Sequence, residues 1–231
     1  MARITRKELK SDKFALEVGL TVTFFEEHRK EIIRYGGAAL AVIVLILGYR
    51  IYSGRQHAIR QEALVAAIRI QDTPVGAAQP GQPSFPTQDV RDQVATKAFS
   101  DLIGKYGGSD EAVISEYYLG AIKADQGKLA EAEKSYKEVA DHGDAKHASL
   151  AKLALAQIYF ADGRSDQGEK MLRDLMDHPT IFVSKEQATI SLARSIGPKK
   201  PADARKLLDP LRTQPGAVGQ VAIQLYGELS Q

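Results

Sequence analysis

The five histidines are the side chains in this sequence best suited to metal binding or to general base catalysis. They are His28, His57, His142, His147 and His178. None lies in an H-E-x-x-H pattern, and the separation of His142 from His147 puts them on different sides of a helix. Zinc requires three or four converging ligands, so the sequence predicts no metal site.

The glycine-rich stretch GKYGGS at 104–109 is the nearest approach to a phosphate-binding loop. It lacks the spacing G-x-x-x-x-G-K-[ST], and its glycine pair is typical of a helix end. No G-x-S-x-G nucleophile motif occurs, and Glu131 and Glu133 lie on opposite faces of a predicted helix, so they cannot share a proton. We therefore predict a protein that is not an enzyme and has no cofactor or small-molecule substrate.

Composition narrows the classes of partner. The 231 residues include no cysteine, which excludes disulfides, thiolate metal sites and a cysteine nucleophile. With 31 Lys+Arg against 29 Asp+Glu, the net charge of +2 gives no indication of nucleic-acid binding. A local basic cluster, KKPADARK at 199–206, is interpreted as a solvated edge of the fold. Other proteins are therefore the expected partners.

An uncharged apolar stretch runs from Tyr35 to Tyr49. Its 15 residues span only ~22 Å as a helix, whereas extension to 32–52 gives roughly 31 Å, enough to cross a hydrocarbon core. The extension includes Arg34 and Arg50, whose long side chains can reach the headgroups. The sequence thus predicts a single transmembrane helix at 32–52, acting as an uncleaved signal anchor.

Two alternatives to a membrane anchor and the question of orientation follow from the same stretch. The first alternative is a buried helix of a soluble domain, but AVIVLIL leaves no polar face for water. The second is a cleaved signal peptide, which would have a shorter basic start than the 34 residues that precede the stretch here. Eight Lys/Arg precede the stretch and four follow by Arg69, which favours a cytoplasmic N-terminus. Counting only some twenty residues on each side leaves the orientation open. Gly37 and Ala41 form a small-xxx-small pair that could pack a partner helix.

The residues before the anchor form a predicted cytoplasmic tail, 1–31. Phe14, Val18, Val22 and Phe25 recur at helical spacing and predict an amphipathic helix. Such a helix could lie on the membrane surface, bind a partner, or simply continue into the anchor.

The rest of the chain, 53–231, reads as a second domain. Its first residues predict a helix, which is interrupted at 72–87 by DTPVGAAQPGQPSFPT, with four prolines and two glycines. Because proline forbids continued helix and glycine gains little by ordering, we expect a mobile loop or linker inserted into the domain.

From Gln88 onward, predicted helices alternate with short turns at a regular spacing. Small residues recur every 36 positions, and a large apolar residue follows each of them by four. Two of the repeats also share a turn glycine and an earlier leucine. The small residues are Ala132, Gly168 and Ala204, the large apolar residues are Tyr136, Leu172 and Leu208, the turn glycines are Gly127 and Gly163, and the leucines are Leu119 and Leu155. Repeats of this kind predict stacked helical hairpins, because each hairpin leaves an apolar face that only a neighbour can cover.

Two stretches resemble tetratricopeptide repeats. In 119–139 the Leu119-Gly120 pair, Gly127, Ala132 and Tyr136 match the family pattern; in 155–175 the matching residues are Leu155-Ala156, Tyr159, Gly163, Gly168 and Leu172. A third, degenerate unit has Ser191-Leu192 in place of Leu-Gly, followed by Ala204 and Leu208. Ala95 and Phe99 resemble the second helix of an earlier unit, and 218–229 resembles a capping helix. The resemblance implies an all-α fold, a tetratricopeptide-like repeat solenoid after the transmembrane helix.

The layout as a whole is similar to the bacterial ancillary subunit family of the Sec translocon. That family combines a short cytoplasmic tail, one signal anchor and an external tetratricopeptide-like domain. The resemblance implies a bacterial inner-membrane protein whose C-terminal domain is periplasmic, a scaffold that binds the translocon and periplasmic chaperones. Alternatives are an envelope-assembly or cell-division scaffold of the same architecture, or a membrane-bound enzyme, for which no residue constellation is present.

The first helix of each hairpin is expected to line a groove for an extended or helical peptide. Projecting the repeat register onto the sequence places these candidates on the groove: Tyr117, Ala121, Gln157, Phe160 and Thr189. The alternative for Tyr117 and Phe160 is packing between helices. The basic and asparagine residues by which some family members clamp a C-terminal carboxylate are missing, since Tyr117 and Ala121 stand in comparable places.

Overall fold

The computed structural model describes residues 29–77 and 81–229, and within them nine helices follow one another. They are α1 (Arg29–Asp72), α2 (Gln88–Tyr106), α3 (Asp110–Asp125), α4 (Leu129–His142), α5 (Ala145–Ala161), α6 (Ser165–Asp177), α7 (Lys185–Ile196), α8 (Pro201–Leu208) and α9 (Ala217–Glu228). The predicted all-α fold is confirmed. The predicted tail helix of 1–31 lies almost wholly outside the described residues.

Side-chain caps and glycine turns fix where these helices start and stop. Thr87, Ser109, Asp144 and Ser184 each accept a hydrogen bond from a backbone N–H in the first turn of the helix that follows. Between helices of a hairpin, Gly127 and Gly163 have φ of 72° and 76°. Since residues with a side chain rarely adopt this left-handed backbone, glycine is required at both turns.

The chain divides into two compact units, 1–59 and 60–231. In the first, all described residues belong to α1, and their side chains are exposed along the apolar stretch. Among the described residues, α1 is the helix that is long and apolar enough to cross a membrane, with a mean hydropathy of 1.9 in its most apolar window. The predicted anchor at 32–52 falls inside it.

In the second unit, each helix from α2 onward packs against the next one along the chain. The end of α1 takes part, because Leu64 and Ala67 are buried in one core cluster with Ala95 and Phe99 of α2. Helices α3 and α5 also contact each other, as do α5 and α7. These contacts between alternate helices place the first helices of successive hairpins side by side. Helix α9 packs on α7 and α8 and closes the core.

The proline-rich segment expected to be a mobile linker is joined at its two ends. Val75 and Phe85 form a parallel β-bridge, in which the Gly76 N–H donates to the Phe85 carbonyl and the Phe85 N–H donates to the Pro74 carbonyl, both at 2.9 Å. The Ser84 hydroxyl adds a bond to the Gly76 carbonyl. The segment therefore leaves and re-enters the helical domain at neighbouring points.

The register of the third hairpin differs from the expected one by a residue. Leu119-Gly120 in α3 and Leu155-Ala156 in α5 are buried pairs, and the corresponding pair in α7 is Leu192-Ala193, with both residues fully buried. Ser191, expected at the leucine position, is only half-buried. The offset helix follows a longer connection, 178–184, than the two-residue turn 143–144 between α4 and α5.

Candidate protein-binding face

The candidate site is a surface formed by the first helices of the hairpins, α3, α5 and α7. We call it the first-helix face and define it by one row of residues on each helix, four apart: Tyr117 and Ala121 on α3, Leu153 and Gln157 on α5, and Ile190 and Arg194 on α7. In α5, the buried Leu155 packs in the core with α4 and the buried Ala156 packs in the core with α6 and α7, while Gln157 of the row lies outside both clusters. Gln157 and Arg194 are exposed, and the other four are half-buried.

Tyr117 lies between the first-helix face and the packing of α3 on α4. Its ring is 5.5 Å from that of Tyr136 on α4, and 6.1 Å, edge-on, from that of Tyr118. Tyr118 in turn stacks on Phe99 at 5.0 Å, which ties α3 to α2. Burial raises the pKa of the Tyr117 and Tyr136 hydroxyls, so both stay protonated at neutral pH. Tyr117 therefore packs between helices, which was the alternative to a role in the groove.

Phe160 and Thr189, two of the predicted groove residues, are half-buried and buried, respectively, and their part in a groove stays a prediction. A side chain on Gly168 would meet the Phe160 ring, so this ring packs over α6. Thr189 is 5% exposed, and its hydroxyl donates to the Lys185 carbonyl at 2.7 Å. In the corrected register Ile190, not Thr189, corresponds to Leu153. Ala121 and Gln157 belong to the face by its definition, and their part in a peptide groove stays a prediction.

Three residues of the face escaped the sequence-based prediction, namely Leu153, Ile190 and Arg194. The signal for Leu153 was available, because Tyr117 and Leu153 are 36 residues apart, the same step that separates Ala132 from Gly168. Ile190 and Arg194 could be found only with the offset of α7. The face can thus offer apolar contact from Leu153 and Ile190, an amide from Gln157 and a positive charge from Arg194.

An ion-pair network ties successive hairpins together. Arg164, which precedes α6, donates to both carboxylate oxygens of Glu133 on α4 at 3.1 and 2.6 Å, and its guanidinium lies 4.4 Å from the centre of the Tyr159 ring. Lys137 approaches the same carboxylate at 2.7 Å. These hydrogen bonds lower the pKa of Glu133 to about 2. We call the Glu133–Arg164 pair the first staple.

The pattern recurs one repeat later. Glu169 on α6 accepts from Lys200, which precedes α8, at 3.2 Å, and from Arg173 at 2.7 Å. Glu133 and Glu169 are 36 residues apart, as are Arg164 and Lys200, and Lys137 and Arg173. We call the Glu169–Lys200 pair the second staple. The repeat thus specifies polar contacts between hairpins as well as the buried residues.

Three histidines are engaged with carboxylates near helix ends. His147 lies 2.8 Å from Asp144, and His178 3.2 Å from Asp174, in each case from Nδ1. His142 Nδ1 lies 3.2 Å from Glu138. Within the part of the chain that the structure describes, no three His, Asp or Glu side chains are grouped so as to hold a metal ion.

The predicted small pair of the anchor, Gly37 and Ala41, lies on the exposed surface of α1. A methyl group added at Gly37 would have open space around it. Within the described residues this site is therefore accessible to another helix, and the prediction that it packs one stays a prediction.

Capped helices paired through glycine turns, with first helices side by side, define this molecule as a helical-hairpin repeat protein. Residues 23–186 match the profile of the tetratricopeptide repeat-like domain. The match takes in most of the chain, which therefore belongs to the tetratricopeptide repeat-like family. No curated protein and no solved structure matches the chain. Domains of this family are typically scaffolds for interaction between proteins.

Proposed function

We propose that this protein is a non-enzymatic, membrane-anchored scaffold that binds other proteins through its first-helix face. Its place is the Sec translocon, where it acts as an accessory subunit that links the channel to periplasmic chaperones. In this proposal the N-terminus is cytoplasmic, α1 crosses the bacterial inner membrane and the repeat domain is periplasmic.

The observation that carries the proposal is the extent of the family match. Residues 23–186 include all of α1, with its apolar stretch, as well as the hairpins up to the start of α7. The membrane-length helix is therefore part of the family's own pattern. A scaffold held at a membrane follows from joining such a helix to a repeat domain of a class that binds proteins.

The first-helix face fits a peptide segment with spaced apolar residues. Leu153 and Ile190 give half-buried apolar surface on adjacent helices, which suits the apolar side of an amphipathic or extended segment. Gln157 can hydrogen-bond a backbone or polar side chain beside them. Arg194, exposed at the α7 end, favours an acidic residue in the same segment.

Site-specific photocrosslinking tests this face. A photoreactive amino acid replaces Gln157 on the face or, as the matched control, Lys170 on the exposed side of α6. Position 157 is expected to give adducts with a translocon subunit or a periplasmic chaperone, identified by mass spectrometry, that position 170 does not give. Equal adducts from both positions, or adducts with soluble cytoplasmic proteins, would remove the proposal.

Orientation is tested separately with C-terminal reporters. One fusion partner is active only outside the cytoplasm and the other only inside it. The proposal requires activity of the external reporter alone. A cytoplasmic signal would exclude the translocon role while leaving the protein-binding face to be tested on its own.

A further inference from the structure

The second helices α4, α6 and α8 each begin after a basic residue, and two of these residues are held by a carboxylate. Lys128, Arg164 and Lys200 occupy the three positions. Arg164 is bound by Glu133 and Lys200 by Glu169, each carboxylate lying on the preceding second helix. For Lys128, the third member of the series, no ion pair occurs among the described residues.

The register identifies the residue that stands at the carboxylate position for Lys128. Ala95 in α2 is fully buried, as are its counterparts Ala132 and Gly168, and Phe99 follows it by four residues as Tyr136 follows Ala132. Glu133 and Glu169 come directly after Ala132 and Gly168. The equivalent residue after Ala95 is Thr96, which has no charge. The next residue, Lys97, pairs with Asp101 on its own helix at 2.9 Å.

An open cleft of about 650 Å³ occupies this place. Helix α2 lines it with Asp89, Gln93, Thr96 and Lys97, and the turn between α3 and α4 lines it with Gln126 and Lys128. The side chains that line it are two lysines, two amides, one threonine and a single carboxylate. It is large enough to admit side chains from another molecule.

We propose that this cleft binds a carboxylate side chain from an acidic segment of a partner protein. The partner's carboxylate pairs with Lys128 as Glu133 pairs with Arg164, so the partner completes a staple that the described residues leave open. Two neighbouring interfaces of the same fold already hold a carboxylate in this position. The amides of Gln93 and Gln126 can donate further hydrogen bonds to it.

Charge favours an acidic protein segment as the occupant. Lys97 and Lys128 outnumber Asp89 among the charged residues that line the cleft. The site lies on α2 and the α3–α4 turn, apart from the first-helix face. It is a second protein-binding site and does not depend on the function proposed above.

The test uses the full chain purified in detergent and two dye-labelled peptides, hexaglutamate and hexaglutamine. Binding is followed by fluorescence anisotropy at low ionic strength. Thr96→Glu supplies the missing carboxylate from within, and Gln220→Glu, at an exposed position of α9, adds the same charge elsewhere. We expect hexaglutamate to bind and hexaglutamine not to bind. Thr96→Glu should weaken hexaglutamate binding about tenfold, and Gln220→Glu should change it less than about twofold.

A second variant and a second measurement guard against misfolding. Lys128→Gln removes the proposed partner of the carboxylate and should also weaken hexaglutamate binding about tenfold. Thr96→Glu should raise the midpoint of thermal unfolding, because it closes an internal staple with Lys128. Binding that is unchanged in Lys128→Gln, or equal for the two peptides, would overturn the proposal. So would a folded Thr96→Glu that still binds hexaglutamate like the unmodified chain.

Discussion

The ring of Phe160 lies in the space that a side chain on Gly168 would need. A Cβ built on Gly168 would stand 2.7 Å from both Cδ2 and Cε2 of Phe160 and 3.0 Å from the Ala156 carbonyl. One repeat earlier the same two positions are Ala124 and Ala132. The phenylalanine ring packed on a glycine thus takes the place of two alanine methyl groups. This exchange keeps the two helices of the hairpin at close packing distance.

Gly168→Ala should therefore destabilise the domain by about 1–3 kcal/mol, because the ring and the carbonyl leave no room for a methyl. The matched control is Gly104→Ala in α2, where nothing lies within 4 Å of the added Cβ. The control should stabilise by about 0.5–1 kcal/mol through helix propensity. Urea unfolding of the full chain, followed by circular dichroism, measures both.

The double variant Phe160→Ala/Gly168→Ala recreates the alanine pair of the preceding hairpin. Phe160→Ala alone should cost roughly 2 kcal/mol, since the ring is half-buried. If the two residues are coupled as the contact indicates, the double variant should be more stable than the sum of the single effects by at least about 1 kcal/mol. Simple additivity would show that the fit of ring to glycine is not what limits this position.

The first staple predicts an acid-sensitive contribution to stability. Hydrogen bonds from Arg164 and Lys137 lower the pKa of Glu133 to about 2, below its ordinary value of 4.5. A group whose folded pKa is lowered stabilises the fold above its unfolded pKa, so this contribution is complete above about pH 4.5 and is lost as the pH falls toward 2. Glu133→Gln should cost about 1 kcal/mol at pH 7, and the difference from the unmodified chain should shrink steadily below pH 4.5.

Glu138→Gln, on the same helix, is the control for this pH dependence. Glu138 is an exposed residue that pairs with the equally exposed His142 at 3.2 Å. Its replacement should change the free energy of unfolding by less than about 0.5 kcal/mol. A Glu133→Gln deficit that is the same at pH 3 and pH 7 would contradict the assignment of the lowered pKa to the staple.

An ion pair with a buried carboxylate joins α1 to α3. Arg60 Nε lies 2.9 Å from Oε2 of Glu111, whose side chain is 3% exposed. Arg60→Met leaves a buried carboxylate without this partner and should cost about 3 kcal/mol. The double variant Arg60→Met/Glu111→Leu should recover most of that loss, because no buried charge remains. Thermal unfolding of the single and the double variant measures both changes. A double variant less stable than Arg60→Met would refute this account.

Membrane association should depend on the apolar stretch and not on α1 as a whole. Val44→Lys/Leu47→Lys puts two charges in the stretch, each costing about 2.5–3.5 kcal/mol of insertion. Val65→Lys places one at a partly exposed position of the same helix beyond it. Carbonate extraction of membranes should release the first variant and retain the second. Retention of both would mean that other residues anchor the chain.

The buried framework of the hairpins could be read from the sequence, whereas the functional face could be read only in part. Ala132, Leu172, Ala204 and Leu208 are fully buried, as a small residue followed by a large one at every 36th position predicts. That signal is strong because burial and close helix crossing restrict the residue type. The offset in α7 has no such signal, since it depends on how the loop before it packs.

Phe160 shows why face residues are harder to predict than core residues. Its place in the repeat assigns it to the groove, yet a substitution on the other helix, glycine for alanine at position 168, draws the ring into the interface. The staples were missed for a related reason. Glu133 and Arg164 are 31 residues apart, and each alone is an ordinary surface charge in the sequence.

Because Val75 and Phe85 are bridged, the spacing between α1 and α2 does not depend on the length of the proline-rich segment that connects them. Whatever the chain does between these two residues, α1 must end and α2 must begin at neighbouring points. An epitope or a fluorescent domain could accordingly be accommodated between Gly76 and Ser84 with the hairpins left in register, which offers a labelling position distant from both termini.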